Sequence, residues 1–247
     1  MNERMFSFLS KNHKKTGDTW NPIGGKCLHG CRYCYVETLK KMFPGVREKY
    51  SGAARTNAKW LNEIKQFTAE DFVFVCDMTD LFGQWVPTEI IQQIFIAINK
   101  SPAKFLLLTK NPERYRQLIS IGISIPQNCV LGCTVESNID HISSGMQERA
   151  RLMVMMELRL MGYPTMLSIE PIMDFDLEPF VKAIIRAKPV LVAVGYDNYN
   201  NGLTEPSFSK TIHLIHYLEA AKIEVFKKTL RDPVILNCET KEHKVKP

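Results

Sequence analysis

The sequence predicts an α/β fold, a partial TIM barrel of the (βα)6 type with parallel strands inside and helices outside. Three observations carry that prediction. From residue 71 onward, short continuous apolar runs alternate with longer segments whose apolar residues keep helical spacing. Strands that are apolar on both faces belong to parallel sheets covered by helices. Each run is followed at once by polar or ionisable residues, at the strand end where barrels and doubly wound sheets collect their chemistry. The 247 residues suffice for one barrel-sized domain, and no linker or internal repeat divides them. A doubly wound sheet would also satisfy the alternation. Six strands after residue 71, with one more before the cysteines, fit the barrel better, and residues 1–247 are read as one domain.

Taken in order, residues 1–18 are polar and basic (Lys11, His13, Lys14, Lys15) and read as an arm. Thr19-Trp20-Asn21-Pro22 is a short extended piece. Tyr35 to Phe43 holds good helix formers and stops at Pro44-Gly45. In residues 45–70, Trp60, Leu61, Ile64 and Phe67 have helical spacing. Phe72 to Cys76 is a buried strand by its β-branched and aromatic content. A helix from Thr88 places Ile90, Ile91, Ile94, Phe95 and Ile98 on one face. The strand Lys104 to Thr109 leads to Asn111-Pro112, which cap a short helix carrying Tyr115, Leu118 and Ile119, with proline tolerated in its first turn. Cys129 to Val135 is a strand, and Met146 to Met161 a methionine-rich helix read as core filler. Thr165 to Ile169, Val190 to Val194 and Ile223 to Phe226 complete the strands, with helices over Glu178 to Ala187 and Ser207 to Ala221. The charged tail 241–247 is expected to be mobile.

Composition excludes several classes. With 45% hydrophobic and 23% charged residues, the chain is an ordinary soluble one. No apolar run reaches membrane-spanning length and the start lacks a signal pattern, so the expected location is cytoplasmic. Seven cysteines, an odd number, do not form a disulfide framework and fit a reducing compartment. The net charge of +6 favours an anionic partner such as nucleic acid.

The most specific stretch is Gly24-Gly25-Lys26-Cys27-Leu28-His29-Gly30-Cys31-Arg32-Tyr33-Cys34-Tyr35. Cys27, Cys31 and Cys34 stand at a CxxxCxxC spacing, and soft sulfur ligands this close select an iron–sulfur cluster or zinc. A four-iron cube held by three thiolates keeps one iron open. Structural zinc needs four ligands, for which His29, His213 and His216 are available. A thioredoxin-like Cys31/Cys34 pair lacks the usual proline and leaves Cys27 unexplained; three thiols that bind nothing are a further alternative, and the cluster is the preferred reading. Cys76, Cys129 and Cys133 read as buried thiols.

The spacing, the aromatic Tyr33 before the third cysteine and the glycine-rich approach resemble the radical SAM signature. The pieces Thr19-Trp20-Asn21-Pro22, Asp80-Leu81-Phe82, Leu108 to Arg114, Leu131 to Ser137 and Ser168-Ile169-Glu170-Pro171 are similar to a small phage- and prokaryote-encoded radical-SAM-like family of unknown function, found near three-Cys-motif partner proteins. Gly195-Tyr196-Asp197-Asn198 departs from that family, whose relatives carry a Gly-Gly-Glu-Ser-like run. The resemblance implies a barrel with a [4Fe-4S] cluster on Cys27, Cys31 and Cys34 and S-adenosylmethionine (SAM) on its open iron. It further implies an external electron donor, a 5′-deoxyadenosyl radical and a three-Cys-motif protein as partner. It supplies no substrate and no catalytic residue.

With SAM as cofactor, the strand-end residues acquire candidate roles. Asp77, Asp80 and Glu136 are candidates for its ribose hydroxyls or ammonium, Lys110 for its carboxylate or an anionic substrate, and Glu170 is a further cofactor-binding candidate. Lys110 and Glu136, each soon after an apolar strand, are the preferred pair. The expected function is a radical SAM enzyme acting on a nucleic acid or nucleotide, then on a peptide. The alternative is a zinc-stabilised nucleic-acid-binding module without catalysis.

Overall fold

The computed structural model describes residues 19–139 and 146–231. The expected basic arm 1–18 and the tail 241–247 lie outside the described residues. The chain starts with β1 (Thr19–Trp20) and β2 (Ile23–Gly24), and the cysteine loop then leads into α1 (Tyr35–Met42) and α2 (Pro44–Lys49). It returns through β3 (Arg55–Thr56), α3 (Ala58–Asn62) and a 3₁₀ turn (Glu63–Gln66). Strand–helix alternation follows: β4 (Phe72–Val75), α4 (Thr88–Asn99), β5 (Lys104–Thr109), α5 (Glu113–Ser120), β6 (Cys129–Thr134) and α6 (Glu148–Leu160). It ends with β7 (Thr165–Ile169), α7 (Leu177–Ala187), β8 (Leu191–Val194), α8 (Phe208–Ala220) and β9 (Glu224–Lys227).

Seven of these strands form one sheet in the order β1-β4-β5-β6-β7-β8-β9, every neighbouring pair parallel. Strands laid down in chain order with a helix between them make a partial barrel. Strand side chains alternate between the two faces, and the two faces here differ. Val73, Val75, Phe105, Leu107, Leu131, Leu167, Ile169, Val192 and Val194 pack with the helices' Ile91, Ile94, Tyr115, Met155, Phe180, Ile184 and Leu214 in the main core. The alternate residues Phe74, Leu106, Met166 and Ala193 form a second cluster, joined by Phe72, Leu108, Val130, Leu191 and Phe226, inside the curve of the sheet. Continuing the same alternation upward brings Lys110, Glu136, Glu170, Gly195 and Lys228 to the interior face, one layer above that apolar floor. At Gly132 an added Cβ would stand 2.8 Å from the end of the Leu108 side chain and 3.1 Å from the Leu107 carbonyl oxygen, so the glycine lets the floor pack closely.

The departures from expectation are local. Pro44 ends α1 and also starts α2 as its first residue, because its fixed φ and missing N–H suit a first helical turn. Cys76 leaves the strand with φ 61° while its N–H still donates to the Trp20 carbonyl at 2.8 Å. Asn111 does not cap α5; its Nδ2 donates to the Phe82 carbonyl at 2.8 Å. The last strand sits one residue later than its apolar run. The antiparallel pairing of β2 with β3 was not expected from the sequence, since each has only two residues. Among the described residues no helix is long and apolar enough to cross a membrane.

Candidate active site at the mouth of the barrel

The cysteine loop is seated by its glycines. At Gly24 a Cβ would lie 2.4 Å from the Lys49 carbonyl oxygen, and Gly25, at φ +113°, would place one 2.7 Å from that of Ala53. This closeness lets Gly25 N–H donate to Lys49 O (2.8 Å) and Lys26 N–H to Gly52 O (2.9 Å). The loop then turns, Cys34 N–H donating to Cys31 O at 3.2 Å, and Cys34 becomes the N-cap of α1, whose free amides favour negative charge.

All three cysteines are free and partly exposed. Burial, then the Asp80 charge, pushes the Cys27 thiol up to about 12, against backbone N–H groups of His29 and Asp80 that bond to it. Burial also raises Cys31, opposed by the Lys110 ammonium. Cys27 feels the charge of Cys31, and Cys31 that of Cys34. A bound cation would reverse this preference for neutral thiols. Among the described residues no three His, Cys, Asp or Glu side chains converge on a single-ion site. A cube takes one sulfur per iron and does not require convergence on one point. The histidines a zinc tetrahedron would need stand otherwise: His29 Nε2 is bound to Asp80, and His213 and His216 are exposed on α8. The donor set, three soft sulfurs in one short loop beside a cationic Lys110, fits a cluster.

Two buried networks hold this loop to the strand ends. In the first, Asp80 Oδ2 contacts His29 Nε2 (2.6 Å) and accepts from Thr109 Oγ1 (2.8 Å) and Lys110 N–H (3.0 Å), while Oδ1 accepts from Phe82 N–H (2.8 Å). Burial acts to raise the Asp80 carboxyl, but His29 and the amides outweigh it and the net shift is downward. His29 also packs edge-on against Trp85, ring centroids 4.9 Å apart.

The second network centres on Glu136, which has no exposed surface. Its Oε1 accepts from the Tyr33 hydroxyl at 2.6 Å and from Lys110 Nζ, and its Oε2 from Arg151 Nη1 at 2.8 Å. Lys110 also bonds the Tyr33 hydroxyl and lies over its ring. Arg151, fully buried on α6, donates as well to the carbonyls of Thr134 (2.9 Å) and Met146 (2.6 Å). Burial would raise the Glu136 carboxyl, but Lys110 and Arg151 hold it at about 2.

The preferred sequence pair, Lys110 and Glu136, is thus brought together, and Asp80 joins it through the Lys110 amide. Glu170 stands apart, paired with Lys228 Nζ at 2.5 Å, and burial raises its carboxyl and lowers the Lys228 ammonium. Asp77 lies by β1: its Oδ1 accepts from Asn21 Nδ2 at 2.5 Å, and Oδ2 has a 3.5 Å contact from the Tyr35 hydroxyl. Sequence reasoning missed Arg151, the hydroxyl of Tyr33 and the link from His29 to Asp80. Arg151 did leave a signal: it falls on the helical stripe of Leu152, Met155 and Leu158, where a charge is expensive unless paired.

A family profile described as "Protein of unknown function (DUF5131)" matches residues 11–187. No curated protein matches the sequence. The fold is similar to a spore photoproduct lyase double mutant with bound AdoMet and dinucleoside spore photoproduct, with TM-score 0.61 and 11% identity, covering 86% of this chain and 76% of that one. A further spore photoproduct lyase mutant gives TM-score 0.62 at 11% identity, with 89% and 77% covered. Streptococcus suis SuiB gives 0.55 at 11%, covering 89% of this chain and 51% of that one. At these identities the likeness is one of fold.

Proposed function

Starting from a chain that belongs to the DUF5131 family, we propose that it is a radical SAM enzyme in which Cys27, Cys31 and Cys34 hold a [4Fe-4S] cluster and SAM binds the open iron. The observation that carries the reading is the three-cysteine loop fixed over the C-terminal ends of a partial parallel barrel. Its fold likeness to a protein with bound AdoMet supports it. When bound and reduced by an external donor, the cluster and SAM together supply a 5′-deoxyadenosyl radical that takes a hydrogen atom from the substrate.

The chain's own residues prepare the place. Asp80 holds the loop through His29, and Glu136 holds it through Tyr33. Lys110 puts a positive charge beside Cys31, which offsets the negative charge of a thiolate-bound cluster. Asp77, whose Oδ2 has only a 3.5 Å contact from the Tyr35 hydroxyl and whose neighbour Tyr35 directly follows Cys34, is assigned to the ribose hydroxyls or ammonium of SAM. The apolar floor of Leu106, Leu108, Met166 and Phe226 lines the barrel below the mouth, a surface that would keep water from a reactive intermediate. A nucleic acid or nucleotide is the first substrate class, favoured by the net charge of +6 and by the dinucleoside held in a protein of similar fold; a peptide is second.

Anaerobic purification and reconstitution test the reading. About four irons and matching sulfide per chain are expected, with release of 5′-deoxyadenosine on adding dithionite and SAM. Stoichiometric zinc without iron would favour the nucleic-acid-binding module instead, and a loaded cluster that never cleaves SAM would overturn the enzyme.

A further inference from the structure

The loop after β8 carries an aromatic residue that nothing in the cluster or cofactor assignment uses. Tyr199 is 59% exposed, yet one face of its ring is stacked on Tyr35, with centroids 6.3 Å apart and planes 14° from parallel. Tyr35 directly follows Cys34, and its own hydroxyl is fixed on the Asp77 carbonyl at 2.7 Å. The loop is braced from both sides. Asp197 accepts from Tyr199 N–H (3.0 Å), Asn201 N–H (2.5 Å) and Asn201 Nδ2 (2.8 Å). Arg231 donates to the Asp197 carbonyl at 2.7 Å and to both Glu205 oxygens at 2.8 and 2.9 Å. From the cysteine loop, exposed Arg32 reaches the Gly202 carbonyl at 3.5 Å, and among the described residues it makes no ion pair.

A large ring held still with one face covered and the other open to solvent is a stacking surface. A guanidinium on the facing loop supplies the matching cation for a phosphate. We propose that Tyr199 and Arg32 form a nucleobase-binding platform at the mouth of the barrel, the ring stacking a base of a single nucleic acid strand and the guanidinium taking its phosphate. A base stacked on Tyr199 would lie on the face of the ring away from Tyr35, the residue that follows Cys34, and so beside the loop that holds the cluster in the preceding reading; the proposal rests on that reading for its purpose but not for its test. Stacking on an aromatic side chain contributes about 1–3 kcal/mol per base and tolerates any base.

The test is a titration of the full chain, both cluster-loaded and cluster-free, into a fluorescein-labelled single-stranded DNA of mixed sequence, about 12 nucleotides long, followed by anisotropy. Tyr199→Ala is expected to weaken binding roughly tenfold, and Tyr199→Phe or Tyr199→Trp to restore it. Arg32→Ala should weaken binding and reduce its dependence on salt. The Tyr199 ring is exposed, so thermal midpoint and iron content should be unchanged in the Tyr199 variants. Equal binding by Tyr199→Ala and the wild type, or no binding by the wild type, would overturn the platform. So would a Tyr199→Ala protein that keeps the oligonucleotide and loses SAM, because the ring would then serve the cofactor. A chain that binds DNA through Tyr199 but takes up no iron would leave the platform standing and defeat the enzyme reading.

Discussion

Asp80 shows how much a single residue decides here. Its two oxygens meet four partners from three parts of the chain: His29 of the cysteine loop, Phe82 of its own turn, and Thr109 and Lys110 at the end of β5. The sequence marks Asp80 as a strand-end carboxylate but not its partners, since His29 lies 51 residues away and only the fold closes that distance. Asp80→Asn keeps the shape, removes the charge and turns one acceptor oxygen into a donor facing other donors. Losing one partner of a buried charged hydrogen bond costs about 1–3 kcal/mol, so a lower thermal midpoint is expected with the fold retained by circular dichroism. The cluster-loaded variant should also lose iron to a chelator several-fold faster than the wild type. Equal rates would mean that Asp80 serves stability alone. Cys27→Ala, Cys31→Ala or Cys34→Ala should each abolish stable iron uptake, measured per chain, while leaving the barrel folded.

At the scale of elements, α6 is where sequence and structure part most instructively. Its methionines and leucines are core filler as their spacing indicates, with Leu152, Val154, Met155 and Leu158 buried. Arg151 on the same helix is buried too, because β5 and β6 present a lysine and a glutamate at the ends of their inner faces and Glu136 takes both cations. Periodicity shows which face of a helix turns inward; it does not show that a neighbouring strand supplies a counter-charge. Arg151→Met is expected to destabilise by about 3 kcal/mol, read by urea unfolding, because it leaves Glu136 half paired in a dry site. A double-mutant cycle with Glu136→Gln should show strong coupling between the two. The pH dependence has a definite sign. Glu136 has a folded pKa of about 2 against an ordinary 4.5, so in that window the unfolded chain binds more protons. The stabilisation from Glu136 is complete above pH 4.5 and is lost as pH falls towards 2. Glu136→Gln should therefore be less stable at neutral pH and should show a shallower loss in acid; parallel curves for the two proteins would contradict the assignment.

For the whole molecule, the alternation of apolar runs and amphipathic helices was enough to indicate the sheet, since each strand of β4 to β9 lies within a residue or two of its run. What stayed hidden were the pairings of very short strands: β1 has two residues, and its place beside β4 rests on the register Thr19↔Phe74 and Trp20↔Val75. The sheet's order makes a prediction about how firmly its parts hold. β5 and β6 are flanked on both sides and carry fully buried residues such as Phe105, Leu106 and Leu131, whereas among the described residues β9 pairs only with β8 and its side chains are half-buried or exposed. Opening free energy follows such differences, from near zero at frayed edges to the global value in central strands. Amide hydrogen exchange followed by mass spectrometry should find β5 and β6 slowest, β9 faster by orders of magnitude, and the cysteine loop intermediate because it is held by side-chain latches and a few backbone bonds rather than by a strand ladder. Cluster loading should then slow exchange across residues 26–35 and around Asp80 while leaving β5 and β6 unchanged, since those strands already sit at the limit set by global unfolding. If β9 proved as protected as β5, the barrel's open side would be closed by something further. If loading slowed exchange everywhere alike, the loop would be no separate unit, and the description of a firm barrel carrying a latched cofactor loop would fail.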